Sequence, residues 1–165
     1  MRKFIAYMVT WTTYGSWLQG DERGYIKDGE RLEPNPNLKQ SNLSSLNQQI
    51  IKLTPQQKCT ARDAIVDEAK RINHKIYAIA VCTNHIHLIA ENNYTPIYQA
   101  VKRYKNVATA ALKQTGLNTK IWTRGFDKRY CFTEKELTNR IEYVNKHNND
   151  EPAGRQRGNI NEQIK

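Results

Sequence analysis

Apolar and polar positions along the chain fall into a small set of local periods. Phe4 to Thr13 is rich in β-branched and aromatic residues and predicts a first strand. The pattern then stops. Residues 14–53 carry Gly15, Gly20, Gly24, Gly29, Pro34 and Pro36, then a polar Asn/Ser/Gln stretch, and read as a long insertion. Thr54-Pro55-Gln56-Gln57 predicts a helix start: a threonine cap, proline at the first helical position and glutamine placed to close a capping box. Ala61, Ile65, Ala69 and Ile72 form that helix's apolar stripe. Lys75 to Val81 predicts a strand, Cys82-Thr83-Asn84 a turn, and His85 to Glu91 a returning strand. Thr95-Pro96 opens a second helix with Ile97, Val101, Tyr104, Ala108 and Ala111 on its buried face, and Gly116 ends it. A short strand is expected within 124–132. Thr133, Glu134 and Glu136 cap a third helix running to about His147. The polar residues from Asn148 onward carry no core pattern and are expected to fray, with 151–165 as a flexible tail. The order of elements predicts an α+β, ferredoxin-like fold: one antiparallel sheet with helices packed on one face, in a single domain over 1–150.

Composition adds a partner class. Lys and Arg number 26 against 16 for Asp and Glu, a net charge of +10, with pI near 9.6. Such an excess suits a polyanion, nucleic acid before a membrane surface. No apolar run approaches ~20 residues, so no membrane span is expected. Met1-Arg2-Lys3-Phe4 has no features of a signal peptide. Cys59, Cys82 and Cys131 are odd in number and widely spaced, which fits neither a disulfide framework nor a C-x-x-C knuckle, so a reducing, cytoplasmic setting is expected.

Candidate chemistry centres on Asn84-His85-Ile86-His87-Leu88. Side chains alternate faces along a strand, so His85 and His87 share one face while Ile86 and Leu88 point into a core. Two imidazoles on one rigid face can share a divalent cation, although an H-x-H strand by itself is weak evidence for one. The third helix adds a second part. At about 100° per residue, Leu137, Ile141 and Val144 lie within roughly 60° of one another, with Tyr143 roughly 120° and His147 roughly 80° from the start of that stripe. Tyr143 and His147 are therefore i,i+4 neighbours on one flank, where His147 reads as a metal ligand, as a helix C-terminal histidine favoured by the macrodipole, or as a base for the phenol proton. A phenol of reference pKa about 10 is a poor nucleophile near neutral pH. A nearby cation would stabilise developing phenolate and withdraw charge from a scissile phosphate. Lys102, Arg103 and Lys105 flank the second helix. Arg124, Lys128 and Arg129 interleave with Trp122, Phe126 and Tyr130, the mixture of cations and rings that tracks single-stranded nucleic acid. Trp11, Trp17 and Arg23 lie at or near the insertion, which is expected either to clamp a hairpin stem or only to cover a sheet edge.

His85-Ile86-His87, then Trp122-Thr123-Arg124-Gly125-Phe126-Asp127, then Glu142-Tyr143-Val144-Asn145-Lys146-His147-Asn148 together resemble the single-tyrosine HUH transposases. The branch they resemble most is the REP-associated tyrosine transposases. Thr10-Trp11-Thr12-Thr13-Tyr14-Gly15-Ser16-Trp17-Leu18 and Gly20-Asp21-Glu22-Arg23-Gly24 look like the start of one subgroup of that branch. The resemblance covers roughly residues 4 to 150. It implies that His85 and His87 bind Mg²⁺ or Mn²⁺, that His147 is a third ligand, and that Tyr143 attacks single-stranded DNA beside a hairpin. The product would be a 5′-phosphotyrosine and a free 3′-OH. The implied partner is single-stranded or hairpin DNA, with a homodimer left open. Imidazole suits Mn²⁺ or Zn²⁺ better than Mg²⁺, whereas phosphate oxygens and waters suit Mg²⁺ or Mn²⁺. The alternative is a hairpin-binding module or regulator of the same fold with an inactive site.

Overall fold

The computed structural model describes residues 2–16, 25–27, 30–33, 37 and 50–150. The elements run β1 (Ala6–Thr12), β2 (Tyr25–Lys27), β3 (Glu30–Leu32), α1 (Pro55–Arg71), β4 (Ile76–Val81), β5 (His85–Glu91), α2 (Ile97–Lys113), β6 (Asp127–Cys131) and α3 (Glu134–Asp150). Four strands form one sheet in the order β4-β5-β1-β6, with every neighbouring pair antiparallel. With the short β2–β3 ribbon set aside, this is the βαββαβ order of a ferredoxin-like fold, so the expected α+β class holds.

Local chemistry sets each element. Thr54 Oγ1 accepts from Gln57 N–H at 3.2 Å while Gln57 Oε1 accepts from Thr54 N–H at 3.0 Å, closing the capping box that starts α1. Gly116, at φ +95°, takes the left-handed turn just past α2 that a side chain would resist. The same reciprocal pair recurs at α3, between Thr133 Oγ1 and Glu136 N–H at 3.1 Å and between Glu136 Oε2 and Thr133 N–H at 3.2 Å.

The two faces of the sheet bury different layers. Tyr7, Val9 and Trp11 of β1 alternate with Ala6, Met8 and Thr10, and β5 alternates in step because Val9 pairs with Leu88 and Thr10 with His87. Tyr7, Val9, Trp11, Ile86 and Leu88 pack with Ala61, Ile65 and Ala69 of α1 and with Val101, Tyr104, Ala108 and Leu112 of α2. Ala6, Met8, Ala78, Ala80, Cys82 and Ile89 pack on the opposite side with Leu137 and Val144 of α3. The expectation that all helices cover one face is thus corrected. The histidine face also needed an apolar cover, because Ala6, Met8 and Ile89 could not be left to water, and the Leu137–Ile141–Val144 stripe supplies it. Ile51 and Leu53, at the end of the stretch read as an insertion, belong to the α1–α2 core.

Asn148, expected at the start of a fraying tail, remains helical and donates from Nδ2 to Ile79 O of β4 at 3.1 Å. That bond fixes the last turn of α3 against the sheet. Residues 151–165, Trp17 and Arg23 lie outside the described residues.

Candidate active site

The site lies where α3 crosses the ends of β4, β5 and β1. Strand alternation puts His85 and His87 on the α3 side, with ring centroids 4.7 Å apart. The flank of α3 brings His147 to 4.7 Å from His87 and 5.9 Å from His85, centroid to centroid. Tyr143 is 4.7 Å from His147 and 5.6 Å from His87 by the same measure. The four side chains that sequence reasoning singled out, from two elements some fifty residues apart, therefore form one cluster. Tyr143 is 48% exposed, so a large partner can reach it. His87 is buried at 7%.

Two side chains fix the histidines. Thr10 Oγ1 lies 2.7 Å from His87 Nδ1, across the β1–β5 pair. Asn84 Oδ1 lies 2.7 Å from His85 Nδ1, and because a carbonyl oxygen only accepts, Nδ1 is the donor of that pair. A neighbour that engages one ring nitrogen and leaves the other for a cation is the usual support of a metal-bound histidine. Burial drops His87 to a pKa of about 3, helped by the charges His85 and His147 would carry, so it stays neutral and able to ligate at pH 7. Thr10 went unnoticed in the sequence. Its signal was parity: on a strand whose other face reads Tyr7, Val9, Trp11, it is the polar residue on the α3 side.

A further donor adjoins the cluster. Cys82 directly follows β4, and its N–H donates to His85 O at 2.8 Å, which sets the two residues side by side across the hairpin. Ligand atoms of Cys82, His85 and His147 all lie within 4.8 Å of one another.

The cations expected to meet nucleic acid are scattered. Asp127, Arg129 and Cys131 share the histidine face, since they pair with Thr10, Met8 and Ala6, while Lys128 and Tyr130 point to the other side. Arg129 is paired with Asp127 at 3.3 Å. Arg124 is exposed beside Gly125. Lys102 and Arg103 stand on α2, across the sheet from the histidines, and Arg103 lies 3.8 Å from Glu68 of α1. Lys105 donates to Thr123 O at 3.1 Å and to Gly125 O at 2.6 Å. Burial, with Lys120 nearby, pulls its pKa down to about 8. It holds the 123–125 loop in place. Trp11 and Trp122 are core residues meeting edge to face at 6.2 Å, so neither ring is available to a base, whereas Tyr130 is 37% exposed.

A ferredoxin-like sheet thus carries paired histidines on a central strand, with a tyrosine on the helix laid over them. The chain belongs to the IS200-like transposase family, whose model matches residues 47–147. No curated protein matches it. Among solved structures it is similar to a REP-associated tyrosine transposase bound to a REP hairpin, at 15% identity and a TM-score of 0.49, over 87% of this chain and 68% of the other. It is also similar to a Deinococcus radiodurans R1 protein described provisionally as a transposase, at 15% identity and a TM-score of 0.43, over 88% and 92%. No helix among the described residues is long and apolar enough to cross a membrane.

Proposed function

We propose that this transposase nicks and rejoins single-stranded DNA near a hairpin through Tyr143, with a divalent cation held at His85, His87 and His147. One observation carries the reading: the tyrosine of α3 stands 5.6 Å and 4.7 Å, ring to ring, from two imidazoles of a converging histidine set. The donor chemistry fits a cation, because His87 is held neutral and the Nδ1 atoms of both strand histidines are engaged by Thr10 and Asn84. A cation bound there, Mg²⁺ or Mn²⁺, would supply positive charge beside a scissile phosphate.

The chain's own residues do the rest. Tyr143 Oη attacks phosphorus, the Oη–P bond forms as the phenolic proton leaves, and the bond from phosphorus to the 3′ oxygen breaks. The products are a 5′-phosphotyrosine and a free 3′-OH, so the energy of the phosphodiester is kept for rejoining. Leu137, Val144 and the Asn148–Ile79 bond hold α3 so that Tyr143 faces the histidines. Arg124 and Arg129 are the cations best placed to track the strand, while Lys102, Arg103 and Lys128 point elsewhere and Lys105 is engaged by carbonyls.

The test is a denaturing gel of protein incubated with labelled hairpin DNA and Mn²⁺. A covalent adduct in the wild type that vanishes in Tyr143→Phe supports the proposal. Binding without an adduct would instead identify a non-catalytic hairpin-binding module. Free cleaved product without an adduct would point to activated water.

A further inference from the structure

We infer that Cys82 is a ligand of the same cation, and that the resident ion is therefore a thiophilic one, Zn²⁺ or Co²⁺ in preference to Mg²⁺. This rests on the reading that the histidine cluster holds a metal, and it changes which metal that is. Among the described residues, Cys82, His85 and His147 each offer a ligand atom, and these atoms all lie within 4.8 Å of one another. Tetrahedral zinc, with Zn–S of about 2.3 Å and Zn–N of about 2.0–2.1 Å, puts neighbouring donors about 3.3–3.6 Å apart. Closing this set on an ion means drawing its donor atoms together by roughly 1 Å.

The backbone already aligns the three. The Cys82 N–H to His85 O bond closes the β4–β5 hairpin, so both side chains leave the sheet on the α3 side. The Asn148 bond to Ile79 O, three residues before Cys82, seats the turn of α3 that carries His147 above the same spot. The other two cysteines lack this setting. Cys131 is buried against Leu137 and Val144 on β6, and Cys59 lies on α1 in the opposite layer.

A thiolate alters the site's chemistry. Sulfur favours zinc, cobalt and copper over magnesium, which prefers oxygen and keeps its waters. On binding, the S–H bond breaks, the proton passes to solvent and the S–metal bond forms, so no oxidant or reductant is needed. His87, fixed through Nδ1 by Thr10, adjoins the trio and Tyr143 and would complete the donor set, with a phosphate oxygen able to enter as a fifth donor.

The test uses the full chain, stripped of metal and without DNA, titrated with Co²⁺. Sulfur bound to cobalt gives charge-transfer absorption in the near ultraviolet, which imidazole and carboxylate ligands do not. We expect that band in the wild type, its loss in Cys82→Ser, and its displacement by Zn²⁺ but not by a large excess of Mg²⁺. Zn²⁺ affinity should fall in Cys82→Ser by more than the roughly 10–100-fold lost with a supporting residue one shell out. Bound cobalt without the band overturns the proposal, as does unchanged Zn²⁺ affinity in a folded Cys82→Ser. If the serine variant does not fold, the wild-type spectrum still decides. A covalent DNA adduct from a wild type that lacks the sulfur band would remove Cys82 from the site and leave the tyrosine chemistry standing.

Discussion

Lowering the pH should weaken the metal-free fold through two buried imidazoles. Burial, aided by His85 and His147, puts His87 at about 3. Burial also lowers His74, which is 3% exposed with its Nδ1 on Tyr104 Oη at 2.6 Å. Each is neutral in the folded chain, and each takes a proton once unfolded below the ordinary histidine value of about 6.5. Stability is therefore fully present above about pH 6.5 and falls as the pH drops toward the folded values, because the unfolded chain binds the extra protons. For His87, pH 5 lies about 1.5 units below the unfolded value, and at 1.36 kcal/mol per unit this is about 2 kcal/mol. The loss approaches about 5 kcal/mol near pH 3. Urea denaturation of metal-free protein between pH 7.5 and 5 measures it, through the slope of stability against pH. His87→Gln should flatten that slope by the equivalent of about one proton, and His74→Gln should flatten it further in the same direction. A wild-type slope that survives in His87→Gln would refute the account of a desolvated, neutral His87, whatever the variant's absolute stability.

Thr10→Val should remove the hydroxyl on His87 Nδ1 and lower divalent-cation affinity about 10–100-fold, read by calorimetry without DNA. Asn148→Ala should cost about 1 kcal/mol in urea denaturation and reduce adduct formation, since the end of α3 loses its tie to Ile79. Arg124→Ala and Arg129→Ala should each lower the salt slope of hairpin binding by about one. Lys105→Met should leave that slope unchanged while lowering the thermal midpoint, because its ammonium serves Thr123 O and Gly125 O. Thr54→Ala should destabilise by about 1 kcal/mol through loss of the capping box.

What could be read from the sequence was what repeats over short distances. The period of two in β5 placed both histidines on one face, and the period of 3.6 placed Tyr143 and His147 on one flank of α3. The capping residues Thr54 and Thr133 marked two helix starts correctly. The side of the sheet on which α3 lands was not legible, because that depends on where the chain crosses after β6, and no local pattern records it. Cys82, Thr10 and Asn148 were missed for a related reason. Thr10 meets a partner 77 positions away and Asn148 one 69 positions away, and their residue types suit a plain strand or a helix end equally well. Lys105 was misleading in the other direction. A lysine off the apolar stripe looks solvent-bound until the 123–125 loop folds over it.

The long reach of the Thr10–His87 bond has a kinetic consequence. Its ends come from the first and fifth strands of the chain, and the helix that covers it is the last element described. Contacts of such separation form late, after the loop entropy between them has been overcome. A chain that has made β1 through α2 holds its α1–α2 core, with Ile86 and Leu88 buried, yet has no α3 to set Tyr143 against its histidines. Assembly of the histidine–tyrosine cluster is thereby coupled to completion of the fold.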